Sequence, residues 1–268
     1  MAARILHLSD LHMGRGEDLA PLTAVSELAA RLEPELLVAT GDMSHRGRAE
    51  QLERSAEIVR ELGLPLLAVP GNHDIPYTFP ARFTRTFEQW EHTYGETEPF
   101  YSSDALVVAG LNSVRPWRQQ GGALDDDQLA ALAARLRAAP EGAYRVVALH
   151  HHLAAPPRPA RRKQPLDRRD HVLQALAEAG ADLVIGGHVH QASVAERREF
   201  EALENGGQRA LTIVLATVPG IGRPRPHRIG EARGVNFYAV EADALTVATH
   251  IWNGNEFAEV GRRTFPRG

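Results

Sequence analysis

Apolar residues in the first part of the chain come in short runs, separated by stretches whose apolar positions recur every three or four residues. Runs at 4–9, 36–39 and Leu64 to Val69 read as strands, and the helical spacing at 22–32 and 49–62 places a helix between each pair. This β-α-β-α-β order predicts parallel strands joined by right-handed crossovers. Helical spacing at 79–92, 126–138 and 169–179 and apolar runs at 105–111, 145–149 and 182–186 extend it. Beyond His190 the pattern changes. Segments 191–200, 209–216, 234–241 and 244–252 read as successive antiparallel strands joined by short or glycine-containing turns, which predicts a second sheet. No repeat or linker divides the chain, so 1–268 is expected to be one domain, with 1–190 as its first part and the second-sheet strands in 191–268. Leu153 to Asp167 carries Pro156, Pro157, Pro159 and Pro165 beside Arg158, Arg161, Arg162 and Lys163. Proline at that density excludes regular structure and predicts a loop leaving a strand.

Composition narrows the chemistry. With 268 residues, 43% of them hydrophobic and 24% charged, the chain can bury a full core. No run approaches the roughly 18 apolar residues of a membrane helix. His7 interrupts an N-terminal apolar run too short for a signal-peptide core, so a cytoplasmic protein without a membrane partner is expected. There is no cysteine. Any metal must then accept imidazole, carboxylate and amide ligands, which suit manganese, iron, zinc or magnesium. A formal charge of -4 argues against a stable nucleic-acid partner. The 30 basic residues comprise 29 arginines and the single Lys163, a skew read here as codon usage in a GC-rich genome.

Five short segments carry metal-binding side chains, and each follows an apolar run: Asp10-Leu-His12, Gly41-Asp42, Gly71-Asn72-His73-Asp74, His150-His151-His152 and Gly187-His188-Val-His190. Strand ends converge on one edge of an α/β sheet, so side chains distant in sequence can meet there. Asp10 and His12 lie two apart, a spacing that on an extended backbone turns both to the same side; His188 and His190 repeat it. Gly41 permits a tight turn that exposes Asp42, whose two oxygens can bridge two cations. The Asn72 amide oxygen can bind a metal without adding charge, leaving the adjacent His73 for proton transfer, with Asp74 able to bond His73 and fix its tautomer. Of the three consecutive histidines, His150 sits directly at the strand end and is the candidate ligand; His151 and His152 shape the pocket or pack locally. Taken singly, each motif has an ordinary alternative: Asp10 as a turn or cap residue, Asp42 as a helix cap, and Asn72 in an Asx-turn.

Together and in this order, D-x-H, G-D, G-N-H-D, H and G-H-x-H resemble the signature of the calcineurin-like metallophosphoesterases over residues 10 to 190. The stretches Ile5 to Gly14, Gly41 to Gly47 and Gly110 to Val114 look most like the bacterial class III cyclic-nucleotide phosphodiesterases. Protein Ser/Thr phosphatases of the superfamily usually carry Glu at the position of Asp74 and a different sequence at Met43-Ser44-His45. Its DNA-repair nucleases carry long additional regions. The resemblance implies a four-layer αββα sandwich of class α/β, with two mixed β-sheets and the metal site at the strand C-terminal ends. It implies that Asp10, His12, Asp42 and His190 hold one divalent metal ion, while Asp42, Asn72, His150 and His188 hold a second, the ions being Mn, Fe or Zn.

The activity implied is hydrolysis of a small phosphodiester such as 3′,5′-cyclic AMP, by in-line attack of a hydroxide shared between the two metals, with His73 and Asp74 as catalytic residues. His45, Asn112, Arg115 and His151 are candidate substrate contacts, as are the segment 113–121 with Trp117 and the loop 153–167, where simple solvation is the alternative. A nuclease, a phosphomonoesterase and a non-catalytic phosphate-binding scaffold are the competing readings. Monomer and homodimer both stay open.

Overall fold

A computed structural model describes residues 2–16, 18–160, 163–202, 208–225 and 228–267; Arg161, Arg162 and His227 lie outside the described residues. In chain order the elements are β1 (Ala3–Leu8), α1 (Ala20–Leu32), β2 (Leu36–Ala39), α2 (Ala49–Arg60), β3 (Leu66–Ala68), α3 (Ala81–Thr84), α4 (Glu88–Tyr94), β4 (Phe100–Ser102), β5 (Leu106–Leu111), α5 (Asp126–Arg137), β6 (Tyr144–Leu149), α6 (Arg169–Glu178), β7 (Leu183–Gly186), β8 (Ser193–Ala202), β9 (Gln208–Thr217), β10 (Gly234–Val240), β11 (Ala244–Trp252) and β12 (Phe257–Pro266).

Two six-stranded sheets result, ordered β12-β11-β10-β1-β2-β3 and β4-β5-β6-β7-β9-β8. Strands β1, β2 and β3 are mutually parallel, as are β5, β6 and β7, which is the outcome expected of helical crossovers. The strands after His190 do not form a sheet of their own, as their alternation suggested. They divide instead: β9 adds parallel to β7 and carries β8 antiparallel, while β10 pairs antiparallel with β1 and starts the β10-β11-β12 meander. Alternation reports which face of a strand is covered, and is silent on which neighbour it joins.

Three apolar clusters define four layers. Ile5, Val38, Leu67 and Tyr238 of one sheet pack on Val108, Val146, Ile185 and Val214 of the other. On the outer face of the first sheet, Leu6, Leu8 and Leu37 meet Val25 and Leu28 of α1 and Leu52 of α2. On the outer face of the second, Val107, Val147 and Val184 meet Leu132 of α5 and Leu173 of α6. Strands β2, β5 and β7 are buried at every residue because both of their faces are covered. Helix α5 starts with a capping box, in which Asp125 accepts from the Gln128 amide and Gln128 reaches back to the Asp125 amide. The helix expected over 79–92 is broken into α3 and α4 at Arg85, whose φ of -141° and ψ of 44° are not helical. Among the described residues no helix is long and apolar enough to cross a membrane.

Candidate metal centre

Each motif segment begins where a strand ends: β1, β2 and β3 in the first sheet, β6 and β7 in the second. The segments therefore meet across the gap between two sheets, and not along one edge of a single sheet. Two glycines let them approach. A Cβ on Gly71 would lie 2.2 Å from the Asp42 amide nitrogen, and one on Gly187 would lie 2.0 Å from Ser9 Oγ and 2.6 Å from Asp10 Oδ2.

The local backbone departs from the extended geometry expected for D-x-H and H-x-H. Asp10, His12, Asp42, His188 and His190 have φ of 55°, 51°, 53°, 69° and 57°. This left-handed region is uncommon for residues with a Cβ, and its clustering at one place marks strain held by the surroundings. What holds it is a set of hydrogen bonds between loops. The amides of Asp10 and His12 donate to the carbonyls of Gly41 and Asp42, both at 2.9 Å. The His73 amide donates to Asp42 Oδ1 at 2.8 Å, and that of His188 to Asp10 Oδ2 at 3.0 Å.

The side chains fall into two groups that share Asp42. In the first, His190 Nε2 lies 3.0 Å from Asp10 Oδ1 and 3.2 Å from His12 Nε2, and His12 Nε2 lies 3.8 Å from Asp42 Oδ2. In the second, His150 Nε2 lies 3.4 Å from Asp42 Oδ1, 3.2 Å from Asn72 Oδ1 and 3.1 Å from His188 Nδ1. All seven residues are buried. Supporting contacts set their orientation: His150 Nδ1 donates to the Thr40 carbonyl at 2.7 Å, which turns Nε2 inward, where Asp42 holds the ring up at about 9 against burial, and Asn72 Nδ2 donates to the Gln119 carbonyl at 3.0 Å, which turns Oδ1 inward. Segment 113–121 thus reaches the site through a backbone carbonyl, whereas Trp117 is exposed.

Among the described residues, Asp42 Oδ2 and His188 Nε2 are buried without a hydrogen-bond partner, and Asp10 Oδ1 has only the His190 imidazole at 3.0 Å. Unpaired buried carboxylate oxygens are expensive unless something cationic is meant to meet them. Two carboxylates, an amide oxygen and four imidazoles form a donor set suited to two borderline divalent cations, so the residues fit the expected pair of metals. Burial alone would push the Asp10 and Asp42 carboxyls up, but His190 beside Asp10 and His150 beside Asp42 hold both below the usual carboxylate range. Both stay anionic. Burial depresses the imidazoles of His12 and His188, leaving them neutral and able to donate lone pairs.

The neighbours of His73 differ from expectation. Asp74 does not bond it: Asp74 Oδ1 accepts from the Ser44 amide at 2.7 Å and Oδ2 from the Gly71 amide at 2.8 Å, so this carboxylate ties two motif loops together. His73 Nδ1 instead donates to the His45 carbonyl at 2.9 Å and lies 2.7 Å from the Tyr77 hydroxyl. Because a carbonyl can only accept, the proton sits on Nδ1 and Nε2 is left free. His45 stacks on this ring with centroids 5.4 Å apart. Burial pushes His45 down to about 4 and lowers His73 as well.

Asn112 and Arg115, expected as substrate contacts, have protein partners in the structure. Asn112 Oδ1 accepts from the Val114 amide at 3.0 Å, and the Arg115 guanidinium binds the Asn112 and Val114 carbonyls, Asp125 and Gln128 at the start of α5. His151 is buried, bonded through Nδ1 to Ser113 Oγ at 2.8 Å, and packs on His188 with ring centroids 4.7 Å apart. Sequence reasoning missed Tyr77, Ser44, Thr40 and Gln119 as supports; Thr40 and Ser44 flank the Gly41-Asp42 motif and adjacency was the available signal.

Residues 3–192 match the family model described as calcineurin-like phosphoesterase. A probable cyclic nucleotide phosphodiesterase of a Synechococcus species is 30% identical over 210 residues, covering 74% of this chain and 77% of that protein. A probable glycerophosphodiester phosphodiesterase of Arcobacter nitrofigilis is 29% identical over 122 residues, 45% of this chain and 42% of that one. Among solved structures, a dimetal phosphatase from Danio rerio superposes with a TM-score of 0.68 over 98% of both chains at 13% identity, a likeness of fold.

Proposed function

The chain belongs to the calcineurin-like phosphoesterase family, and from that premise we propose that it hydrolyses a small phosphodiester, a cyclic nucleotide first among them, with two divalent cations held by the two side-chain groups around Asp42. The observation that carries the reading is the divided carboxylate of Asp42: Oδ1 faces His150 at 3.4 Å and Oδ2 faces His12 at 3.8 Å, one oxygen for each group. Such a cation pair supplies a water acidic enough to attack phosphorus near neutral pH, together with positive charge against the non-bridging oxygens.

The chain's own residues do the rest. Asp10, His12 and His190 fix one side of Asp42, and Asn72, His150 and His188 the other, so charge and geometry are set before substrate arrives. His73 keeps one proton at Nδ1 against the His45 carbonyl and offers Nε2 to the leaving oxygen. Nε2 carries no proton in the neutral ring, so it would first take up the proton that the attacking water sheds and then pass it to the leaving alkoxide as the new P–O bond forms and the old one breaks. Asp74 positions His73 indirectly, by fixing the loops at Ser44 and Gly71.

The cyclic-nucleotide choice is supported by the Synechococcus relative, which aligns over 77% of its own length. A glycerol-linked diester is the second reading, favoured by the Arcobacter relative over 45% of this chain. Protein reconstituted separately with manganese, iron and zinc should be assayed on 3′,5′- and 2′,3′-cyclic nucleotides, a glycerophosphodiester, an aryl diester, a phosphomonoester and single-stranded DNA. The reading expects the highest kcat/KM on a cyclic nucleotide. Preference for the monoester or for DNA contradicts it.

A further inference from the structure

Lys163 is the only lysine in a chain with 30 basic residues. Codon usage that writes arginine at the other 29 positions leaves this one to be explained by what a compact ammonium does and a guanidinium does not. Its location is equally unusual. It lies in the proline-rich loop 153–167, in company expected to be solvated, yet only 8% of it is exposed. Lysine is almost never buried without a partner. Among the described residues the Lys163 ammonium has no hydrogen bond or ion pair, and only its backbone amide donates, to the Ala160 carbonyl at 3.0 Å.

The described parts of the loop on either side of Lys163 are tied to residues next to the metal-binding segments. The Arg158 amide donates to Gln191 Oε1 at 3.0 Å, and Gln191 Nε2 returns a bond to the Arg158 carbonyl at 3.2 Å, which ties the loop to the residue following His190. Further along, the Leu166 amide donates to the His152 carbonyl at 3.0 Å and the Asp167 amide to the Gly122 carbonyl at 2.9 Å. Between these anchors Lys163 is turned inward. The anions that act on its charge are Asp42 and Asp10, and its charge in turn reaches His73, His151, His152 and His188. The candidate ligands and the candidate leaving-group histidine are thus within electrostatic reach of its charge. Arg225 and Arg228, which also act on Lys163, already share Glu231 at 3.3 and 3.7 Å. Lys163 has no such anion of its own.

We propose that Lys163 binds a non-bridging oxygen of the substrate's phosphoryl group at the metal centre. The inference rests on the phosphodiesterase reading, and it adds a substrate-binding residue that the five motifs do not contain. A largely buried ammonium without an ion-pair partner among the described residues would meet one when a phosphate enters. Its three donors and compact charge would fit a single phosphoryl oxygen, where the planar fork of arginine would need more room. Burial lowers its proton affinity while the two carboxylates raise it, and a bound phosphate strengthens the second effect.

The test compares wild-type protein with Lys163→Met, which keeps the length and removes the charge, and with Lys163→Arg. All are loaded with manganese and checked for metal content and thermal stability. Calorimetry with inorganic phosphate and kcat/KM on an aryl phosphodiester are the two readouts. Loss of a charge-assisted hydrogen bond should weaken phosphate binding and lower kcat/KM each by roughly ten- to hundredfold in Lys163→Met, with partial recovery in Lys163→Arg and unchanged metal content. Unchanged phosphate affinity and kcat/KM in Lys163→Met overturn the proposal. Should Lys163→Met unfold or lose metal, Lys163→Gln gives the same comparison, and the same loss in both overturns the proposal by making the lysine structural. A wild-type protein that turns over no phosphoester, yet loses phosphate affinity with Lys163, would sink the phosphodiesterase reading and keep this assignment. Turnover indifferent to Lys163 would do the reverse.

Discussion

His73 and Tyr77 meet through Nδ1 and the phenolic oxygen at 2.7 Å, one turn of loop apart, while the neighbouring Asp74 faces away to the Ser44 and Gly71 amides. Nδ1 is thus committed to the His45 carbonyl and Tyr77, and Nε2 is the working atom. Replacing His73 by Gln should lower kcat by about 10²–10⁴ with metal content unchanged. Tyr77→Phe should lower it far less, by roughly fivefold, since the His45 carbonyl still holds the ring. Kinetics beside elemental analysis of the same samples decides it. Metal lost in step with activity in His73→Gln would make His73 a ligand.

The closeness of Gly187 to Ser9 predicts a second outcome. Any Cβ there enters the space of Ser9 Oγ at 2.0 Å and Asp10 Oδ2 at 2.6 Å. Gly187→Ala should destabilise the fold by about 1–3 kcal/mol, as overpacking does, and push apart the loops that carry Asp10 and His188. Denaturant unfolding of metal-free protein reads the first effect and metal titration the second. A variant with wild-type stability and wild-type metal affinity would mean these loops are not wedged together.

Buried neutral histidines give the fold an acid limb. His7, bonded to Tyr238 and Thr40 between the sheets, is held down to about 3 by burial, with Asp10 opposing, and burial likewise lowers His152 to about 4. A folded-state value below the unfolded one means that the unfolded chain binds more protons, so the contribution of these two histidines rises with pH from about 4 up to 6.5 and is constant above. Asp74, raised to about 7 by burial and by Asp42, works the other way across the same window, and His150, which Asp42 holds up at about 9 against burial, loses its contribution as pH rises from 6.5 to 9. Unfolding of the metal-free protein between pH 4.5 and 6.5 should steepen accordingly. His7→Gln should flatten the slope by about one proton, or about 1.4 kcal/mol per pH unit. Equal slopes in the two proteins would mean that His7 is protonated in the fold.

Much of this architecture was legible in the sequence, for identifiable reasons. The strands at 36–39, 106–111 and 144–149 are covered on both faces and so are written as unbroken apolar runs. The metal-binding segments follow such runs directly, which made Asp10, His12, Asp42, Asn72, His150, His188 and His190 conspicuous together. What escaped depends on information a pattern does not hold. Strand β12 is exposed along most of its length and lies at a sheet edge, so its sequence lacks an apolar face. The left-handed backbone at Asp10 and His188, which Asp and His adopt more readily than most residues with a Cβ, is held by loops from other strands and has no apolar pattern to announce it. Lys163 looked like a solvated charge because its burial is decided by a loop folded over side chains far away in sequence.

The shared carboxylate is the point on which the account turns, and metal stoichiometry of Asp42→Asn tests it most directly. Reconstituted wild-type protein should retain two divalent cations per chain after gel filtration. With one anionic oxygen facing each side-chain group, neutralising Asp42 should weaken both sites, and elemental analysis should find occupancy of both collapsed while thermal unfolding of the metal-free variant stays cooperative. An Asp42→Asn protein that still carries two tightly held cations would contradict it.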